Sequence, residues 1–271
     1  MKLIRTIATI FVAISAILVL ASCTTATKSY SYVGEKLTYP AVYKAVLATI
    51  KNAKFDSIDF YGNKYVLKGL GFLDGINRRT ADLVITVANG EFKYDFINGQ
   101  MFFTSTGTWI TDDSYLFATP LIVGNQMNKI IEKTMQDDAT YDEARKTALQ
   151  DIGFVYLCME NMNEISIADF VKNVLGSQAI QITATVFDVK VANETVNNVV
   201  YKYRVQSYVK AAENDALGFT KDINFFFYTN DDTVARYNRG STISALGRIV
   251  SGGRNDNQLD GFSLNVIQVP N

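Results

Sequence analysis

Val199-Val200-Tyr201-Lys202-Tyr203-Arg204-Val205-Gln206-Ser207-Tyr208-Val209-Lys210 is followed, after an interval, by Lys221-Asp222-Ile223-Asn224-Phe225-Phe226-Phe227-Tyr228-Thr229. Both stretches are rich in aromatic and β-branched residues and lack proline, which marks them as strands. Working outward, Ile180–Val191, Ser241–Ser251 and Phe262–Val269 have the same character, so five strands are predicted after Gly176. Asn197-Asn198 suits a hairpin tip between the first two, a better reading of that region than the glycosylation sequon Asn193-Glu194-Thr195. A polar or helical piece over Asp231–Arg239 interrupts the series before the fourth strand.

Five strands with one interruption between the third and fourth resemble an OB-fold, a small five-stranded barrel. The resemblance spans residues 177–271 and includes Gly240-Ser241-Thr242-Ile243-Ser244-Ala245-Leu246-Gly247-Arg248-Ile249, whose glycines allow the fourth strand to bend. A small β-sandwich is the alternative. The resemblance implies a ligand face on the second and third strands. On the second, Lys202, Arg204, Gln206, Tyr208 and Lys210 share one side, opposite Tyr201, Tyr203, Val205 and Val209. On the third, Asn224, Phe226 and Tyr228 lie opposite Ile223, Phe225 and Phe227. Tyr208, Phe226 and Tyr228 among Lys202, Arg204 and Lys210 are suited to stacking on sugars or bases and pairing with anions. The competing reading is an ordinary wet face whose aromatics are covered by the helix preceding the barrel.

Upstream, residues 154–176 read as a joining segment: an apolar strand Phe154–Met159, then a short helix opened by Ser166. That helix puts Ile167, Phe170, Val171, Val174 and Leu175 on one side and stops at Gly176. Residues 40–153 read as a separate α+β domain. Pro40 suits a first helical turn, and Val42, Ala45, Val46, Thr49, Ile50 and Ala53 follow at helical spacing. About five antiparallel strands are expected near residues 55–104, turned by Gly62-Asn63, Asn89-Gly90 and Asn98-Gly99, with Phe92, Tyr94 and Phe96 alternating against Lys93 and Asp95. Met127, Ile130 and Ile131 mark a helix, and Thr140-x-x-Glu143 has the form of a capping box opening another that Gly153 ends. The fold class is therefore α+β: an antiparallel meander sheet with helices over one face, then the OB-like barrel.

At the other end, Leu20-Ala21-Ser22-Cys23 closes an uncharged apolar run, Ile7–Leu20, that follows Lys2 and Arg5. As a helix the run reaches roughly 21 Å, short of a hydrocarbon core of about 30 Å, so a signal segment is the better reading than a membrane span. The four residues resemble the lipobox of bacterial lipoproteins. That resemblance implies a signal peptide over 1–22, a diacylglycerol on the Cys23 thiol, further acylation (palmitate) of the new amino group, and a tether over 23–39. The protein is then expected on a bacterial membrane, facing the periplasm or cell surface, and Thr24 and Thr25 resemble the residues of lipoproteins sent to an outer membrane. A secretory signal with an incidental cysteine is the alternative.

Losing residues 1–22 leaves 249 residues with 24 basic against 27 acidic side chains, a balance that disfavours nucleic acid as the main partner. The histidine count of 0 removes Ser-His-Asp, Cys-His and His-ligated zinc chemistry. Cys158, the other cysteine, sits after Phe154-Val155-Tyr156-Leu157 and reads as a buried thiol with no intramolecular partner. The acidic pairs Asp112-Asp113, Asp137-Asp138 and Asp231-Asp232 fall among turn-forming residues, and adjacent strand residues face apart. Gly69-Leu70-Gly71 with Asp74-Gly75 lacks dinucleotide-binding spacing, and Asp256-Asn257-Gln258-Leu259-Asp260-Gly261 lacks the order of a calcium loop. No catalytic residue, metal site or cofactor is thus expected. The function predicted is that of a lipid-anchored, non-enzymatic envelope protein binding another envelope protein or a glycan. An oligosaccharide- or nucleic-acid-binding lipoprotein and a carboxylate-based hydrolase are the alternatives.

Overall fold

A computed structural model describes residues 26–29, 37–74, 77–112, 118–210, 222–254 and 261–269. Cys23, the signal segment, Gly75, Asp113 and residues 255–260 lie outside them. In chain order the elements are β1 (Ala26–Ser29), α1 (Tyr39–Thr49), β2 (Ser57–Asp59), β3 (Lys64–Asp74), β4 (Asn77–Ala88), β5 (Glu91–Phe103), β6 (Thr108–Thr111), α2 (Ala118–Gln136), α3 (Asp138–Gln150), α4 (Ile152–Glu160) and α5 (Glu164–Asp169). There follow β7 (Ile180–Val196), β8 (Val199–Val209), β9 (Ile223–Thr229), β10 (Thr242–Arg254) and β11 (Phe262–Gln268). The chain divides into two compact units, Met1–Ala53 with Gly62–Asp137, and Lys54–Tyr61 with Asp138–Asn271. The division thus falls at Asp137 rather than at the expected 153, and the segment 54–61 goes with the later unit. The tether expected over 23–39 is interrupted by β1.

In the first unit β5 pairs antiparallel with β4, and β4 with β3. The other edge of β5 carries two short strands, β1 along Glu91–Tyr94 and β6 along Gln100–Phe103. Asn89-Gly90 makes the predicted two-residue turn, with φ of 52° and 77° as a type I′ hairpin requires. Asn98-Gly99 does not turn the chain. Asn98 has φ 54°, but β5 runs through it, and the register against β4 shifts between Thr80 and Asp82, which makes it a bulge. An Asn with positive φ serves a turn and a bulge equally, so only the partner strand tells them apart. Leu67, Leu83, Ile85, Phe92 and Tyr94 are buried from the sheet, as are Val42, Ala45 and Val46 of α1 and Met127 and Ile131 of α2. Pro40 lies in the first turn of α1 as read, while Ile50 and Ala53 fall beyond its end. The helices α1 and α2 pack together, and α2 meets β1 and β5.

The second unit corrects four readings. Phe154–Met159 is helix α4, not strand. Gly153 through Met159 are all buried, and a helix apolar on every side carries no period to separate it from a buried strand. Its start was signalled by Asp151, whose carboxylate accepts the Phe154 N–H at 3.1 Å, so Gly153 stands inside α4 instead of ending α3. Likewise α3 starts at Asp138, leaving Thr140 already helical and not a cap. Ser166 does not open α5: Asn163 caps it by accepting the Ser166 N–H at 2.9 Å. After α5 the chain tightens and widens through a π turn (Phe170–Val174) and a 3-10 turn (Leu175–Ser177), burying Ile167, Phe170, Val171, Val174 and Leu175 as expected.

The remaining strands close on themselves. β7 pairs with β8, β8 with β9, β9 in parallel with β11, β11 with β10, and β10 back with β7. Ile182, Val186, Val205, Phe225, Phe227, Ile249, Leu264 and Val266 fill the centre. The fourth strand changes partner midway: Gly247 pairs with both Ile180 and Gln268. A Cβ at Gly247 would collide with the Val266 side chain, and one at Gly252 would stand 2.7 Å from the Ser263 carbonyl oxygen. The glycines of β10 therefore admit the close approach of β11 that closure demands. Arg254 extends from β10 to donate to the carbonyls of Glu160 at 2.8 Å and Met162 at 3.1 Å, neutralising the C-terminal end of α4.

Candidate functional site

The face read from sequence as a ligand surface is assembled by register. Arg204 stands opposite Tyr228, Gln206 opposite Phe226 and Tyr208 opposite Asn224, so these side chains share the outside of the ring while Val205, Ser207, Phe225 and Phe227 point inward. Lys202, inside β8, and Lys210, one residue past its end, are exposed, and Arg204, Tyr208 and Phe226 are half-buried. Tyr228 is 7% exposed, beside Tyr201 with ring centroids 6.3 Å apart. The face is neither an open row of aromatic rings nor a set of bare cations.

Its charges are partnered. Arg204 pairs with Glu194 of β7 at 2.9 Å and lies over the Phe226 ring at 5.8 Å. Burial pushes the Tyr228 hydroxyl pKa up, with the Glu194 carboxylate adding to the rise and Arg204 opposing it. Lys202 pairs with Asp232, which also accepts the Tyr203 hydroxyl at 2.8 Å. Those two hydrogen bonds hold the Asp232 carboxyl below its ordinary range, and the bond to Asp232 raises the Lys202 ammonium. Lys210 sits 5.4 Å from the Tyr208 ring. Glu194 and Asp232 are the members of this face that sequence reasoning missed. Glu194 stood in a sequon, and Asp232 in a pair taken as a solvated turn. Counting back from the Asn197-Asn198 turn sets Glu194 against Tyr201 and so onto β8, a signal available in the sequence.

Beyond the ring, β7 and β8 continue as a two-stranded ribbon. β9 reaches β8 only as far as Tyr203, whereas β7 follows it out to Val199, turning through Asn197 (φ 50°) and Asn198 (φ 63°) as predicted. Asn230 braces the base: its side chain accepts the Lys202 N–H at 2.7 Å and donates to the Val200 carbonyl at 3.2 Å. Val191, Val199 and Val200 stand exposed on this ribbon.

The acidic pair in this unit is divided between two tasks. Asp231 caps the short 3-10 turn Asp232–Arg236 by accepting the Thr233 N–H at 2.8 Å, while Asp232 holds Lys202 and Tyr203. Asp137 precedes α3 and Asp138 opens it. Among the described residues no three acidic or cysteine side chains gather closely enough to hold a metal ion. Cys158 is fully buried in α4, and burial, with the charge of Asp151, keeps its thiol protonated well above the usual range. Among the described residues no helix is long and apolar enough to cross a membrane. No protein-family model matches the chain, and no curated protein shows significant similarity to it.

Proposed function

We propose that the chain is a lipid-anchored bacterial envelope protein, held by acyl chains on Cys23, whose closed ring is an OB-fold used as a non-enzymatic module for binding another envelope component. The observation that carries the OB reading is strand order. Around the ring the strands run first, second, third, fifth, fourth, with the fifth parallel to the third and a short turn of helix between the third and fourth. OB-folds bind through the face of strands two and three and the adjoining loops.

The chemistry of that face favours a protein partner. Arg204 and Lys202 are already neutralised by Glu194 and Asp232, so a polyanion finds less counter-charge than the bases alone suggest. Tyr228 is nearly covered, which leaves little ring surface for stacking on a sugar. Exposed Val191, Val199 and Val200 beside the polar Arg204–Glu194 pair supply the apolar centre and polar rim of a protein contact. Crosslinking in cells followed by purification of the tagged protein is expected to recover one recurring partner, lost when Val199 and Val200 are both changed to Asp. Repeated recovery of no recurring partner overturns the binding reading, and a Cys23 peptide without acyl mass overturns the anchoring.

A further inference from the structure

The first unit exposes large apolar side chains along one edge of its sheet. Trp109 and Ile110 of β6 are 46% and 43% exposed, and Ile97 and Phe103 of β5 are 43% and 46% exposed. Phe102 packs against Trp109 at 5.3 Å. Trp109 and Ile110 are consecutive on a strand, as are Phe102 and Phe103, so the apolar groups project from both faces of the strand pair. A flat protein surface laid on one face would cover half of them. A medium met edge-on takes all of them.

The position of β1 says which medium. It shares with β6 the edge of β5 away from β4, and it runs antiparallel to β5, with Ala26 opposite Tyr94 and Ser29 opposite Glu91. The chain therefore enters β1 from the side on which β6 lies. Cys23 precedes Ala26 by three residues, a span of at most about 11 Å even when fully extended. An anchor there cannot let the first unit stand far off.

We propose that the edge formed by β1 and β6 is a lipid-facing surface, whose Ile97, Phe103, Trp109 and Ile110 enter the headgroup zone of the bilayer that holds the Cys23 acyl chains. This rests on the anchoring reading given above. Tryptophan favours that zone because its ring is apolar and its N–H is wet. Depth is limited by the backbone: the outer N–H and C=O groups of an edge strand need water, so the side chains enter the interface while the strand stays above the hydrocarbon.

Trp109 is the sole tryptophan and reports on this edge directly. The full acylated protein is to be placed in phosphatidylethanolamine–phosphatidylglycerol vesicles, with the Cys23→Ala protein made without residues 1–22, in solution, as reference. Brominated acyl chains are expected to quench Trp109 at least twofold, and quenching by iodide is expected to fall at least twofold from the reference. Changing Ile97 and Ile110 to Ser is expected to restore iodide access while the protein still floats with the vesicles. Acylated, vesicle-bound protein whose Trp109 stays as open to iodide as the reference overturns the proposal. A Cys23 peptide lacking acyl mass overturns the anchoring reading, and the proposal with it.

Discussion

The two units solve the problem of the sheet edge in opposite ways. The ring has no edge around its centre, because β11 bridges β9 and β10 and each strand there has two neighbours. The sheet of the first unit covers β5 with two four-residue strands, β1 and β6, and every residue of β6 is exposed. Closure places the burden on packing, where small residues must sit at close approaches. An open edge places it on the surroundings, which must accommodate what the edge displays. Substitutions in the ring should accordingly cost stability, and substitutions along the β6 edge should cost association and little else.

The sharpest test sets neighbours on β10 against each other. Gly252→Val is expected to destabilise by about 3 kcal/mol, since its Cβ meets the Ser263 backbone, whereas nothing lies within 4 Å of a Cβ at Gly253, so Gly253→Ala is expected to cost under about 0.5 kcal/mol. Urea unfolding read by far-ultraviolet circular dichroism measures both, and equal losses would break the closure argument. Arg254→Ala follows at about 2 kcal/mol, because it strips the Glu160 and Met162 carbonyls of a charged donor.

A pH series supplies the next increment. The fold raises the Cys158 thiol pKa, so the native state retains a proton that the unfolded chain loses above the ordinary thiol range. Stability is therefore unaffected by this group below about pH 8 and falls as pH rises past about 9, by up to ~1.4 kcal/mol per pH unit, until the folded value is reached. Cys158→Ala is expected to shallow that decline in denaturant midpoints taken from pH 8 to 10. The smallest effect belongs to the outer face of the ring. Glu194→Gln removes a charge that raises Tyr228 and frees Arg204 to lower it, so Tyr228 should titrate at lower pH by ultraviolet absorbance, with a stability change under about 1 kcal/mol.

Both units were legible in the sequence to different depths. Along the ring strands alternation and turn residues agree: Arg204, Gln206 and Tyr208 face outward and Val205 inward as predicted, whereas Tyr201, predicted on the side of Val205, stands beside Tyr228. Cys158 is buried as its apolar neighbours implied. What failed was local reading where one signal serves two structures. Asn98-Gly99 bulges where Asn89-Gly90 turns, and the apolar run 154–159 winds where Ile180–Val191 extends. The candidate face was half read. Its cations and aromatics were visible, and Glu194 could have been found by counting back from the Asn197-Asn198 turn, but Asp232 reaches Lys202 from the 3-10 turn after β9, a placement no strand alternation supplies. The exposed edge at Trp109 went unread because exposure is set by which strands cover which.

The parallel pairing of β11 with β9 carries a consequence for the order of events in biosynthesis. A chain that emerges from its N-terminus presents β7, β8 and β9 well before Phe262–Gln268, and until that segment arrives β9 lacks one neighbour and β10 lacks another. The second unit also waits to recover Lys54–Tyr61, a segment made early and used late. Its folding is thus dominated by long-range pairings and slow compared with a helical domain. On the export proposed above, that delay is useful, since translocation needs a chain unfolded until the last strand is through.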